Sequence, residues 1–111
     1  MIKPDWEERI IQWAADRKIF SGSSPDRQLE KLSEEVGELF EAIDQSDSGG
    51  IMDAIGDCSV VLCIVAAMYG MSYGECLEAA WEQIKDRKGE MRGGVFVKES
   101  DLCLSLRDGQ R

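Results

Sequence analysis

At 111 residues and 43% hydrophobic content the chain has the size of one ordinary domain, with a modest core, because small chains bury a smaller share of their surface. Its 22 acidic residues against 13 basic ones leave a formal charge of −9. That balance repels nucleic-acid backbones and anionic membranes, so neither a nucleic-acid polymer nor a membrane is expected as a partner, and an anionic ligand would need divalent cations as a bridge.

In chain order, Asp5 with Glu8 makes a capping-box-like start, and Trp6, Ile10, Trp13 and Ala14 recur at helical spacing, predicting a first helix that ends near Phe20. Trp6 and Trp13 read as core. The stretch Ser21-Gly22-Ser23-Ser24-Pro25 is a loop, with Ser24 as N-cap and Pro25 as the first residue of a second helix. Leu29, Leu32, Val36, Leu39 and Ile43 form the apolar stripe of that helix. Residues 44–50 are turn formers, and a third helix follows them. Its stretch from Cys58 to Met68 has one polar residue, Ser59. A helix apolar all round must be covered on every side, which predicts a second copy of the chain, as a homodimer or homotetramer. Gly70 stops it.

Ser72 and Glu75 form another capping box, opening a fourth helix through Leu77, Ala80, Trp81 and Ile84 to about Lys88. Gly89, Gly93 and Gly94 break the pattern, Val95-Phe96-Val97 reads as a short strand or extended arm, and residues 99–111 as a loosely held tail. The fold class is therefore all-α, a four-helix bundle-like single domain over residues 1–111 with a short extended C-terminal segment. Cys58, Cys63, Cys76 and Cys103 make no C-x-x-C pair and read as reduced core thiols. The opening Met1-Ile2-Lys3-Pro4-Asp5 has no signal region, and the longest apolar run, Cys58 to Tyr69, is short for a bilayer. A cytoplasmic location is expected.

The carboxylates carry the functional argument. At about 100° per residue from Leu32, the apolar stripe of the second helix lies between roughly −20° and 80°, while Glu34, Glu35 and Glu38 lie between about 200° and 300°. Glu35 and Glu38, and Glu34 and Glu38, are neighbouring like charges that repel unless something binds them. On the third helix Asp53 and Asp57 are also i, i+4, and Asp57 directly precedes the most apolar run. A buried carboxylate needs compensation, yet the chain has no histidine and the segment around Asp57 has no lysine or arginine. Oxygen ligands from two helices suit Mg²⁺, or Mn²⁺ in its place. The opposing reading is a helical interaction protein with a solvated acidic face.

The run Lys31-Leu32-Ser33-Glu34-Glu35-Val36-Gly37-Glu38-Leu39, followed by Asp53-Ala54-Ile55-Gly56-Asp57 and the closing Trp81-Glu82-Gln83-Ile84-Lys85-Asp86-Arg87-Lys88-Gly89, resembles the MazG-like all-α nucleoside triphosphate pyrophosphohydrolases, marked by E-E-x-x-E on one helix and E-x-x-D on the next. The resemblance implies Mg²⁺-dependent hydrolysis of an NTP or dNTP to the monophosphate and pyrophosphate, in nucleotide-pool housekeeping. It also implies metal ligation by Glu35, Glu38 and Asp57, with Glu34 as a further ligand or, like Glu35, the water-activating group. The family glutamate would fall at 54, where this chain has Ala54; Asp53, one residue earlier, is the stand-in. A narrower relative acting on dUTP, dCTP or phosphoribosyl-ATP is the rival enzyme reading.

Lys85, Arg87 and Lys88 read either as cations at a helix C-terminus or, matching the family's late basic residues, as ligands of the outer phosphates. Trp81 reads as packing or as a base-stacking surface. Gln28 and Lys31 share the arc of Glu35 and Glu38, within reach of a sugar, base or phosphate. Gly37 and Gly56 either let the second and third helices approach closely or are merely tolerated.

Overall fold

The computed structural model describes residues 5–102, and the chain divides into two compact units, Met1–Cys76 and Leu77–Arg111. In chain order the elements are α1 (Trp6–Asp16), α2 (Ile19–Gly22), α3 (Pro25–Asp44), α4 (Ser48–Met68), α5 (Tyr73–Ile84), β1 (Gly89–Arg92) and β2 (Val95–Lys98). Residues 99–102 return to helix. The fold is thus the expected all-α one with a small two-stranded addition.

Helix α1 starts where the Asp5 carboxylate accepts a hydrogen bond from the Glu8 N–H at 3.0 Å. It stops short of the predicted Phe20. Lys18 takes the left-handed conformation, φ 61°, and its N–H turns to the Ala15 carbonyl at 3.0 Å, so α2 restarts as a separate turn. A glycine or asparagine would have signalled that break; a lysine does not. Ser24 caps α3 as predicted, accepting from the Arg27 N–H at 3.3 Å, with Pro25 first in the helix.

The joint between α3 and α4 is three residues long. Ser46, φ 52°, lets the Asp47 N–H reach back to the Ala42 carbonyl at 2.9 Å, a six-to-one closure of the helix end. Asp47 then caps α4 by accepting from the Gly50 N–H at 3.0 Å, so α4 begins at Ser48 rather than beyond Gly50. It closes in the same manner, with Gly70 at φ 73° and the Met71 N–H on the Ala66 carbonyl at 2.9 Å.

The predicted capping box opens α5: Ser72 Oγ accepts from the Glu75 N–H at 3.0 Å, and Glu75 from the Ser72 N–H at 3.3 Å. A third acceptor comes from far along the chain. The Glu7 carboxylate of α1 accepts from the Tyr73 N–H and, at 3.3 Å, from the Gly74 N–H, so the first turn of α1 is tied to the start of α5.

Within the first unit α4 is central, packed by α3 and α1. The buried apolar residues are Ala14, Ala42, Ala54, Val61, Cys63, Ile64 and Ala66, mostly short side chains that let helices approach. The rest of α4 is less covered than an all-round apolar surface requires, since Met52, Ile55 and Leu62 are exposed. At 21 residues, with a mean hydropathy of 2.0 over its most apolar stretch, α4 is long and apolar enough to cross a bilayer by length and composition. It is longer than the run Cys58–Tyr69 suggests because Ser48–Asp57 continues the same helix. Cys63 is buried, where lost hydration and then the Glu7 charge push its thiol above its ordinary value; Cys58 is half-buried and both are free. Cys76, expected in the core, is exposed, because α5 has no buried residue. Cys103 lies outside the described residues.

In the second unit the helix predicted to reach Lys88 ends at Ile84, and Gly89–Arg92 becomes a strand paired antiparallel with the predicted strand, Gly89 opposite Lys98 and Arg92 opposite Val95. Gly93 and Gly94, at φ 54° and 86°, form the two-residue turn that requires positive φ at both positions. A side chain on Gly89 would collide with the Val97 carbonyl oxygen and the Phe96 ring. Of the predicted tail, residues 103–111 lie outside the described residues.

Candidate metal centre

The centre is set by the rotation of α3. Its buried residues are Glu35 and Ala42, with Leu32 and Leu39 half-buried, an arc between about 280° and 0° on the wheel centred at Leu32. Leu29, Val36, Phe40 and Ile43, between about 20° and 80°, are exposed, Phe40 at 68%. Helix α3 therefore turns one edge of its apolar stripe, together with Glu35, toward the rest of the unit. The stripe's other edge faces outward.

Glu35 is 5% exposed. Its Oε1 lies 3.2 Å from Lys31 Nζ, which is also 3.6 Å from Glu34 Oε2. Its Oε2 is buried with no hydrogen-bond partner. The cation missing from the segment around Asp57 is thus supplied in part from α3 itself, one turn before Glu35. Glu35, Glu38 and Asp57 each present a carboxylate oxygen, and these oxygens lie within 4.8 Å of one another. Asp53 shares a cleft of about 290 Å³ with Glu38, Glu41, Ala54 and Asp57, but its carboxylate is not one of the three that converge.

Like charges and lost hydration shape the electrostatics. Glu38 is pushed above its ordinary value by the neighbouring Glu35 carboxylate, which favours the protonated form. Asp57 is pushed up by desolvation first, then by the charges of Glu35 and Asp53. Lys31 is held above its usual value by Glu35 and then Glu34. One ammonium thus serves this group of acids, of which Glu38 and Asp57 hold their protons more readily than free carboxylates. An additional cation on the unpartnered Glu35 oxygen fits this donor set, which is oxygen throughout and therefore of the hard type.

Gln28 donates through Nε2 to Ser23 Oγ at 3.1 Å, at the start of the arc that carries Lys31 and Glu35. Gly37 and Gly56 play no part in a close approach: a Cβ on either meets nothing within 4 Å. Trp81 is exposed, and Lys85 Nζ pairs with Glu82 at 2.7 Å. With α5 ending at Ile84, Lys85, Arg87 and Lys88 follow the helix instead of extending it.

Trp6 and Trp13 are exposed, not core, since Ile10, Ile11 and Ala14 take the covered side of α1. With Arg9, Ile10, Val60 and Asp57 they line a cleft of about 380 Å³. Arg9 lies 5.2 Å from the Trp6 ring centroid. The i, i+7 spacing of the tryptophans was the available signal, but it is equally that of a core face. A larger cleft of about 560 Å³, beside Glu7, Glu8, Ile11, Ala67 and Met71, contains none of the trio.

Two helices joined by a tight turn, with convergent carboxylates and one buried orphan oxygen, define a helical protein suited to a divalent cation. Residues 23–91 match the MazG nucleotide pyrophosphohydrolase domain, and the chain belongs to the MazG nucleotide pyrophosphohydrolase family. It is also similar to an uncharacterized 18.2 kDa protein in the rep-hol intergenic region of Haemophilus phage HP1 (strain HP1c1), with 44% identity over 59 residues, 53% of this chain and 36% of that relative. The chain thus matches little more than a third of that protein's length. No solved structure matches the chain.

Proposed function

We propose that this pyrophosphohydrolase hydrolyses nucleoside triphosphates, ribo or deoxyribo, to the monophosphate and pyrophosphate, with Mg²⁺ or, in its place, Mn²⁺. The observation that carries the reading is the buried Glu35, with one oxygen on Lys31 and the other on nothing, facing Glu38 and Asp57. A half-satisfied buried carboxylate is costly, and the unpartnered oxygen is explained if it holds a cation.

Glu35, Glu38 and Asp57 hold the cation. When bound, it supplies charge for the phosphate oxygens and acidity for the attacking water. Glu34, exposed and next to Glu35, takes the proton of the water that attacks the α-phosphorus, with Glu35 as the other candidate base. Lys31 and Gln28 meet the phosphates and sugar, and the walls of Trp6 and Trp13 beside Asp57 suit a flat base. Lys85, Arg87 and Lys88 are assigned to the outer phosphates and Trp81 to stacking. A second copy, in a dimer or tetramer, covers the exposed α3 edge of Leu29, Val36, Phe40 and Ile43; light scattering should give a multiple of the 12.4 kDa chain mass. A cytoplasmic location belongs to the same reading, since nucleoside triphosphates are its substrates.

The test is a pyrophosphate-release panel over the common NTPs and dNTPs, with Mg²⁺, Mn²⁺ or chelator. Pyrophosphate from at least one substrate, lost on chelation, is the expected result. Release of orthophosphate instead, or of nothing from any of them, would overturn the assignment.

A further inference from the structure

The trio of converging carboxylates leaves Asp53 unexplained. It sits one helical turn before Asp57 on α4, so the two share a face, and it lines the same cleft as Glu38, Ala54 and Asp57. Its carboxylate nevertheless stands outside the group whose oxygens meet within 4.8 Å. Between Asp53 and Asp57 in sequence is Ala54, 2% exposed, whose side chain reaches the cleft wall and offers no oxygen.

We infer that Asp53 positions the bound cation through a water molecule, within the cleft that it lines with Glu38, Ala54 and Asp57, and does not touch the cation itself. The inference rests on the metal reading above. Three observations carry it. The orphaned, buried Glu35 Oε2 marks where the cation belongs, and the two other oxygens that converge with Glu35 come from Glu38 and Asp57. The cleft at Asp53, about 290 Å³, has room for several waters at roughly 30 Å³ each. Mg²⁺ sheds its waters reluctantly and keeps several of them in protein sites. A carboxylate one turn away from a direct ligand accepts hydrogen bonds from those waters, orienting them and favouring the cation by charge. Asp53 is thus a positioning residue, and this centre holds its cation with three protein carboxylates and one more water than a centre with a glutamate at 54.

The experiment uses the full chain and Mn²⁺ alone as the probe, with affinity read by electron paramagnetic resonance and bound waters counted by ¹⁷O broadening. Asp53→Asn should weaken Mn²⁺ binding by about ten-fold while leaving the number of bound waters unchanged. A gain of one bound water would make Asp53 a direct ligand and overturn the inference, as would an unchanged affinity. Ala54→Glu should remove one bound water and shrink the penalty of Asp53→Asn in the same chain; an unaltered count in a folded, Mn²⁺-binding Ala54→Glu protein would count against it. If that variant fails to fold, Asp53→Asn decides alone. Absence of Mn²⁺ binding in the unaltered chain would sink the metal reading and this inference together. Binding lost in Asp57→Asn but untouched in Asp53→Asn sinks only the latter.

Discussion

Around the α3–α4 joint the chain buries a carboxylate and leaves Val36, Phe40 and Ile43 exposed, whereas in the unit from Leu77 onward none of the described residues is buried, and Leu77, Trp81, Ile84, Met91, Val95 and Phe96 are all exposed. The first region is held by helix packing through small side chains, the second by the ladder and turn of a local hairpin. Burial of a charge is expensive and persists where something else is gained. Exposure of apolar surface is cheap for a chain that acquires a partner. The two regions thus differ in kind: the hairpin of α3 and α4 keeps a buried acid among small side chains, and the C-terminal unit keeps exposed apolar surface.

The largest effect that would sharpen this contrast is loss of turnover on altering the trio. Glu38→Ala or Asp57→Asn should lower kcat/KM by about 10³-fold or more, roughly 4 kcal/mol of transition-state stabilisation, with helix content intact by circular dichroism. The metal-free Glu38→Ala protein should be no less stable than the unaltered chain, because a repelling neighbour of Glu35 is gone. Full activity in a folded Glu38→Ala protein would remove the trio from the chemistry. In the C-terminal unit the corresponding change is Lys85→Met, which should lower kcat/KM by about ten-fold. Its exposed pair with Glu82 is worth only about 0–1 kcal/mol of stability. Unchanged kinetics would return Lys85 to a structural role and leave the C-terminal unit without a demonstrated part in the reaction.

Much of this was legible in the sequence where the signal is local. Asp5 with Glu8, Ser24 with Pro25, and Ser72 with Glu75 mark helix starts because a side-chain oxygen meets a free N–H three residues on, and all three do so. The trio was legible because i, i+3 spacing puts Glu35 and Glu38 on one face, and Asp57 opens the most apolar segment. What stayed hidden depends on packing. An apolar stripe is expected to turn inward, yet α3 is rotated so that Glu35 and Ala42 are covered and Phe40 is not, since the small side chains of α4 admit that edge more closely. The break at Lys18 has no glycine or proline to announce it. The strand Gly89–Arg92 exists through its partner across the Gly93–Gly94 turn, and the glycines that end the helix gave no sign of what came next.

A smaller effect concerns how the first unit is tied together. The Glu7 carboxylate accepts two backbone N–H groups at the start of α5, a cap contributed from 66 residues away. Glu7→Ala should cost about 1 kcal/mol, in the usual range for losing a helix cap, and lower the melting midpoint by a few degrees without altering metal affinity. Loss of metal binding in that variant would show that the packing of α1 sets the carboxylates, and would blur the separation between scaffold and site.

The smallest expected effect is a pH dependence confined to the hairpin of α3 and α4. Asp57, through desolvation and then the Glu35 charge, and Glu38, through Glu35, hold their protons more tightly in the folded chain than at their ordinary values of 3.8 and 4.5. In the interval between ordinary and raised values the folded state binds more protons than the unfolded one, so these groups make stability fall as pH rises. Below the ordinary values both states are protonated and the effect vanishes; above the raised values the penalty is complete. Lys31, raised from 10.5, stays charged across this window and contributes a constant term. Both carboxylates are largely exposed, and solvent screens the shift. The measurement is a difference: melting midpoints of the metal-free chain minus those of Asp57→Asn, from about pH 4 to pH 7. The difference should decline with rising pH and should reverse its slope when Mn²⁺ is present, because the cation binds the ionised carboxylates and adds stability as they lose their protons. A difference that is flat with and without Mn²⁺ would mean that Asp57 is an ordinary solvated carboxylate, and that the charge at this joint resembles the open surface of the C-terminal unit after all.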